Sequence, residues 1–309
     1  MKRILITVSA ALAVIAIVAA NGHAFSKDSA FVGWRTPIVW DLTTSQTAYS
    51  DSWTGGEAGS LNWQTNLNAQ AARFFSPRFL LRSQLKMSFG QTVTQDQETR
   101  HWSKPNKSTD LIDWETVGEL NTHKFVDPYV AFRLESQFYD GQVPEKKLYL
   151  SPMKLTESAG LTKNLYSKGD DIVSSRVGFA ARQIIKKVII GADTTAGIVT
   201  YSTTDSTQTD GGVEWVTDAT LTLSTKIVYT GKLTTYKAFA FSGSDKVKGT
   251  PFANDWKAVD VSCENILAAN VSKIVAVFLY TQFEYDKQIS KRVRIKETLA
   301  FGLTFKMLQ

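Results

Sequence analysis

Charged residues recur at alternate positions in several stretches of this chain, a spacing that places them on one face of an extended strand. Asp113 with Glu115 and Arg133 with Glu135 are two such pairs. A face that carries both signs can form ion pairs that stabilise a polar interior, or it can line a passage and select solutes. The near balance of signs favours the structural role. The candidate lining residues are Arg82, Lys86, Asp113, Glu115, Arg133, Glu135, Arg176, Arg182, Glu214, Asp218, Lys226, Asp260 and Glu264.

Signals for catalysis are weak. The three histidines, His23, His101 and His123, fall in the leader, in a predicted external loop and in a predicted turn at the other end, so they cannot share a site. The nucleophile elbow G-x-S-x-G is absent from the sequence, as are phosphate-binding loops and histidine or cysteine pairs at metal-ligand spacing. We therefore expect a protein that is not an enzyme, with no cofactor and no metal.

Two other short signals favour structural roles. Asp110 with Asp113, or Asp170 with Asp171, could contact calcium, but strand-end and turn roles are favoured. The W-T-G-G-E motif at 53–57 is either a ligand-contacting loop or a tight external hairpin in which glycines supply positive φ. The hairpin is the favoured interpretation.

The N-terminal sequence predicts export. Lys2 and Arg3 precede an uncharged apolar run, and small residues follow at Gly22 and Ala24, which indicates a signal peptide over 1–24 and a mature domain over 25–309. Cleavage after Ala20 and a membrane-anchoring helix are the alternatives. The single cysteine excludes an internal disulfide. A formal charge of +6 without blocks of like charge argues against nucleic acid as a partner.

Strict alternation along the mature sequence predicts long β-strands. In LNWQTNLNAQAAR, at 61–73, Leu61, Trp63 and Leu67 alternate with five amides in a row. Many of these runs last ten to fourteen residues, whereas soluble strands peak at ~5–6 and a strand that crosses a bilayer needs ~9–11. The alternative is a soluble β-sandwich with long strands, which also alternates.

Export, strand length and aromatic residues near strand ends together favour an all-β, transmembrane, antiparallel up-and-down barrel in the outer membrane. We expect twelve strands, because single-chain bacterial barrels have even strand numbers. The 186–211 stretch is interpreted as an external excursion, since a thirteenth strand there would break this parity. Leu61, Trp63 and Leu67 then face lipid, and the amides face the lumen.

The stretch SQTAYSDSWTGGEAGSLNWQTNLNAQA resembles the entry strand of the domain of unknown function 3078 family, with its pattern W-x-G-G-E-x-S-L-N. VDVSCENILAANVSKIVAVFLYTQFEYD and KETLAFGLTFKML, near the C-terminus, are also similar to that family. Ser52 stands where the family usually has Asn, and Phe305 is followed by KMLQ where many outer-membrane proteins end on an aromatic residue. The resemblance implies an outer-membrane β-barrel of diderm bacteria and no known activity, cofactor or substrate.

The sequence thus predicts an outer-membrane barrel that acts as a narrow channel or transporter for small or hydrophobic solutes. Its expected partners are outer-membrane lipid and a small solute, and its oligomeric state is left open. One alternative is a structural or assembly barrel without transport. A lipid-acting enzyme of the outer membrane is a third hypothesis, which the positions of the histidines disfavour.

Overall fold

The computed structural model describes residues 33–49, 58–122, 124–141, 143, 146–195, 198–272 and 274–308. The predicted signal peptide, His23, His123 and the 53–57 motif lie outside the described residues. In the described part of the chain, no helix has the length and apolar character needed to cross a membrane.

Fourteen β-strands account for most of the described chain. Twelve of them are long, and the other two, β6 and β7, form a small sheet of their own. In chain order the strands are β1 (Ile38–Thr47), β2 (Ser60–Ser76), β3 (Phe79–Thr94), β4 (Asn106–Leu120), β5 (Asp127–Ser136), β6 (Tyr139–Asp140), β7 (Leu148–Tyr149), β8 (Met153–Lys168), β9 (Asp171–Thr195), β10 (Ile198–Ser224), β11 (Ile227–Phe241), β12 (Val259–Asn270), β13 (Val275–Tyr285) and β14 (Arg294–Leu308). A short helix α1 (Ser244–Val247) and a 3-10 helix (Asp255–Lys257) lie between β11 and β12.

The twelve long strands close into one antiparallel barrel in the order β1-β14-β13-β12-β11-β10-β9-β8-β5-β4-β3-β2. Chain neighbours pair with each other, and β1 pairs with β14 to close the ring, with Trp40 opposite Phe305. The predicted all-β up-and-down barrel of twelve strands is therefore confirmed.

The connections differ in length between the two ends of the barrel. At one end, here called the short-turn end, they span 77–78, 121–126, 169–170, 225–226 and 271–274. At the other, the long-loop end, they include 95–105, 137–152, 242–258 and 286–293. His101 is exposed in the first of these long loops.

Residues 186–195 and 198–211 are extended rather than irregular, which corrects the predicted loop. They continue β9 and β10 into a hairpin, in which Lys187 lies opposite Asp205 and Thr194 opposite Val199. Both strands lengthen together, so the hairpin adds no strand to the ring. The barrel keeps an even number of strands because the extended parts of β9 and β10 pair with each other.

The outer surface of the barrel exposes many large apolar side chains. Residues directly opposite each other in an antiparallel pair share a face, and the outward faces of β9 and β14 carry Phe179, 71% exposed, and Ile295, 67% exposed. Aromatic rings also meet there, as in the stacked pair Trp40 and Phe305 with centroids 5.3 Å apart. This is the surface expected of a barrel that spans a membrane.

The amides of β2 face inward, as the alternation predicts. Asn68 lies opposite Lys86 on β3, and the Lys86 side chain reaches Glu264 on β12. Because β2, β1, β14 and β13 separate β3 from β12 in the ring, this contact can only cross the interior. Asn68 and the amides two residues apart from it therefore line the lumen.

The backbones of β8 and β9 approach each other closely at a pair of glycines. Gly160 on β8 lies directly opposite Gly178 on β9. On its other side, Gly160 lies opposite Tyr129 of β5, which is 3% exposed. A Cβ on Gly178 would lie 2.7 Å from the Tyr129 hydroxyl and would collide with the backbone of Ala159. Tyr129 is one of the aromatic residues near strand ends that suggest a membrane interface, but it packs inside the barrel over this glycine pair.

Candidate functional site: the barrel lumen

A carboxylate from β4 lies at the centre of the charged lumen. Glu115 accepts hydrogen bonds from Arg176 on β9 and from Lys232 on β11, whose Nζ is 2.6 Å away. Asp218 on β10 lies within 3.9 Å of Arg176 and 3.8 Å of Lys232. Because β4 is remote from β11 in the ring, this cluster bridges the lumen rather than following its wall.

A second cluster is built on β4, β5 and β8. Arg133 forms two hydrogen bonds to Asp113, from Nε at 2.9 Å and from Nη2 at 3.0 Å. The same guanidinium lies 3.3 Å from Glu135, which Lys154 also contacts at 2.8 Å. A two-point arginine–carboxylate contact fixes the orientation of the guanidinium as well as pairing its charge. Arg133 is therefore held against the neighbouring strand β4 and does not extend across the lumen.

A third cluster joins β9, β10, β11 and β12. Arg182 binds Asp210 through Nε at 2.8 Å and Asp260 through Nη1 at 2.9 Å. The Tyr236 hydroxyl donates to Asp210 at 2.5 Å, and the Arg182 guanidinium lies over the Tyr236 ring, 3.4 Å from its centroid. The charge of Arg182 is thus matched by two carboxylates and one ring face.

Two further ion pairs extend the charged region. Lys86 Nζ lies 3.7 Å from Glu264 across the ring. Arg82 contacts Glu119 between the neighbouring strands β3 and β4. Each of these pairs joins one cation to one anion, so neither adds net charge to the lumen.

The structure brings most of the predicted lining residues together. Eleven of the thirteen take part in the ion pairs above, and Glu214 lies inward between Gly178 and Tyr236. Lys226 differs from the expectation. β10 ends at Ser224 and β11 begins at Ile227, so Lys226 is an exposed turn residue, and its backbone N–H donates to the Ser224 hydroxyl.

Several residues of these clusters were missed by the sequence-based prediction. Glu119 has the same parity on β4 as Glu115, which is a signal that could have identified it. Lys232 was not among the predicted lining residues, and Asp210 fell within the 186–211 stretch interpreted as an external excursion. Tyr236 and Lys154 carry no distinguishing sequence signal.

The lumen face of β2 and β3, next to the charged clusters, carries mainly amides and hydroxyls, and we call it the amide wall. Its members bond to one another along β2 and β3, with Gln64 donating to Asn66 at 2.8 Å, Gln84 to Asn68 at 3.1 Å and Ser88 to Asn66 at 2.6 Å. The amide wall consists of Asn62, Gln64, Asn66, Asn68, Gln70, Gln84 and Ser88.

The connection between β11 and β12 covers part of the long-loop end of the lumen. Trp256 packs against the inward-facing Ala180, Tyr236 and Ala238. Asp255, which is 5% exposed, forms an ion pair with Lys287 in the β13–β14 connection, with 2.9 Å between the Lys287 Nζ and the Asp255 Oδ1. This bond raises the pKa of the Lys287 ammonium.

The remaining chemical candidates are engaged in structural contacts. Asp110 pairs with Lys107 at 2.8 Å and accepts the Phe138 N–H at 2.6 Å, and Asp171 accepts the Thr222 N–H at 2.6 Å. Within the described ranges, no three histidine, cysteine, aspartate or glutamate side chains gather as a metal site would require.

Solved outer-membrane barrels are similar to this chain only at low scores. An outer membrane channel from Pseudomonas putida F1 is 10% identical, with 93% of this chain and 98% of that chain covered and a TM-score of 0.38. The NanC porin is 9% identical, with 87% and 97% covered and a TM-score of 0.33. The translocator domain of autotransporter NalP from Neisseria meningitidis is 8% identical, with 88% of each chain covered and a TM-score of 0.31. At such scores the barrel assignment rests on the chain's own strand pairing.

No curated protein matches this chain. A family model does match part of it, over β1 to β6, and this confirms the resemblance that the 45–71 stretch carries. The similarity of the C-terminal strands to the family lies outside the matched residues and stays a prediction. Residues 44–141 match the family described as Protein of unknown function (DUF3078).

Proposed function

We propose that the protein is an outer-membrane barrel whose lumen forms a narrow channel for small solutes, without catalytic activity. The supporting observation is the ion pair between Lys86 and Glu264, whose nitrogen and oxygen lie 3.7 Å apart across the ring. Twelve strands fall between an eight-stranded barrel, which side chains just fill, and a sixteen-stranded one with an open aqueous channel. Side chains that meet across the ring therefore decide how wide the passage is.

The polar lumen favours small polar solutes over hydrophobic ones. Ion pairs and amides occupy the inward positions of β2 to β5 and β8 to β12. A hydrophobic solute would displace water from these groups without replacing its hydrogen bonds, which is costly.

A structural barrel without transport is the second candidate. The Glu115 cluster supports it, because paired charges in this position stabilise the interior and narrow it at the same time. A barrel built only for support would need no continuous passage beside this cluster.

Planar-bilayer recording of the purified protein separates the two functions. A narrow channel gives small conductance steps, and the double variant Lys86→Ala/Glu264→Ala enlarges them because it removes a bridge across the ring. The matched control is Arg294→Ala/Glu284→Ala, which removes a pair between neighbouring strands, 2.9 Å apart and more exposed.

Large steps in the wild-type protein, comparable to those of a general porin, would contradict the proposal. Absence of conductance in both the wild type and the Lys86/Glu264 variant would favour the structural barrel. The location is tested separately: the protein should fractionate with the outer membrane, need detergent, and migrate differently on gels before and after heating. Recovery in the soluble periplasmic fraction would refute it.

A further inference from the structure

The most buried charges of the lumen differ from the amide wall in water access. Asp113, Arg176 and Lys232 are 5%, 7% and 8% exposed. In the amide wall, Gln64, Asn66 and Asn68 are only half-buried, and Asn62 is exposed. Water therefore reaches the amides more readily than it reaches these three charged residues, whereas the Lys86–Glu264 pair beside the wall is half-buried like the amides.

The bonding directions explain this difference. Glu115 and Lys86 bond across the ring, to Lys232 and Glu264, and so they fill the space between the walls. The amides instead bond along their own wall, as Gln84 does to Asn68 at 3.1 Å. None of the amide-wall side chains reaches across the ring, although Lys86, which lies between Gln84 and Ser88 on β3, crosses it beside them to reach Glu264.

From this arrangement we propose that solutes pass along the amide wall, and that the channel selects uncharged, hydroxyl-rich molecules of the size of a small sugar. This inference rests on the proposed channel function and names its substrate class. A primary amide carries both donors and acceptors, so a row of amides exchanges hydrogen bonds with hydroxyl groups without requiring a charge on the solute.

Charged solutes gain little on this path. An ion that leaves bulk water needs a matching charge to offset its lost hydration, but the neighbouring charges are already paired, Lys86 with Glu264 and Arg294 with Glu284. Asp41 and Lys296, which also face inward on β1 and β14, are of opposite sign and add no net charge.

The test is solute flux into protein-loaded liposomes, with probes of similar size and different charge. Arabinose is the uncharged probe, arabinonate the anion and 1-amino-1-deoxyarabinitol, protonated at neutral pH, the cation. We expect arabinose to enter the wild-type liposomes at least tenfold faster than either ion. Equal rates, or faster entry of an ion, would overturn the selectivity and leave the channel itself intact. Entry of none of the three would overturn the channel and the inference with it.

Variants then locate the path. Asn66→Leu/Asn68→Leu removes two amides from the wall and should lower arabinose entry severalfold, with heat-dependent gel migration as the check that the barrel has folded. The matched control is Gln183→Leu, which removes an outward-facing amide from β9, on the face opposite that of Arg182. Unchanged arabinose entry in the folded Asn66/Asn68 variant, or an equal loss in the control, would place the path elsewhere. Because the wild-type probe series needs no variant, the proposal stays testable if the double variant does not fold.

Discussion

The Glu115 carboxylate on β4 and the Lys232 ammonium on β11 lie 2.6 Å apart inside the barrel, although 117 positions separate them in the sequence. Glu115 is also bonded to Arg176, and the side chains of all three residues are at most 11% exposed. Removing the carboxylate would leave two cations in a poorly hydrated interior.

Glu115→Gln should therefore destabilise the folded barrel by about 3–5 kcal/mol, the usual cost of breaking a buried ion pair from one side. Urea-induced unfolding of the protein in lipid vesicles measures this free energy. The double variant Glu115→Gln/Lys232→Met should lose less than the two single variants together, because it removes a cation along with the anion. Additive losses would show that Glu115 and Lys232 are not coupled.

The inward direction of Glu115 could be predicted from the sequence, but its partners could not. Alternation fixes which face of β4 carries Glu115, whereas the stagger of the ring decides which distant strand it meets. Lys232 was missed because the strand boundary before it depends on where β10 turns, and polar residues such as Ser224 and Lys226 allow that turn at more than one place. Asp210 was missed because the 186–211 stretch was interpreted as an excursion, whereas it pairs as part of β9 and β10.

Facing can be tested on β14, where Thr298 points inward and Leu299 is 63% exposed on the outside. Leu299→Lys places a charge against the hydrocarbon, which costs ~2–4 kcal/mol near the bilayer midplane. Thr298→Lys places the same side chain in the lumen. We expect the folded yield in vesicles to fall strongly for Leu299→Lys and little for Thr298→Lys. The reverse order would mean that the faces of β14 are exchanged.

The close approach of β8 to β9 predicts a strict requirement for glycine. A methyl group at position 178 would meet the Ala159 backbone and the Tyr129 hydroxyl, so Gly178→Ala should destabilise the barrel by about 1–3 kcal/mol through overpacking. The control is Gly191→Ala on the same strand, where a Cβ meets nothing within 4 Å. Denaturant unfolding should show little change for the control, and equal losses in both variants would argue against a packing cause.

The Asp255–Lys287 ion pair, 2.9 Å long, should hold the β11–β12 connection over the lumen. Lys287→Ala should make this connection more sensitive to protease, whereas Lys246→Ala, at an exposed position in α1, should not. The pKa of Lys287 is raised by its bond to Asp255. The stabilisation that this ion pair gives to the connection is therefore complete below the ordinary lysine pKa of 10.5, and it is lost as pH rises through the higher pKa that Lys287 has in the folded protein. Equal protease sensitivity of wild type and Lys287→Ala would exclude this role.

The pairing of β1 with β14 also has a kinetic consequence. The contacts that close the ring, such as Trp40 opposite Phe305, join the first strand of the barrel to the last. The last strand is synthesised only after all the others. Until the last strand arrives, the first presents an open edge that can pair with other chains. Ordering so long a stretch before it gains its closing contacts makes folding slow. The incomplete barrel therefore needs protection from self-association for longer than any single hairpin takes to form.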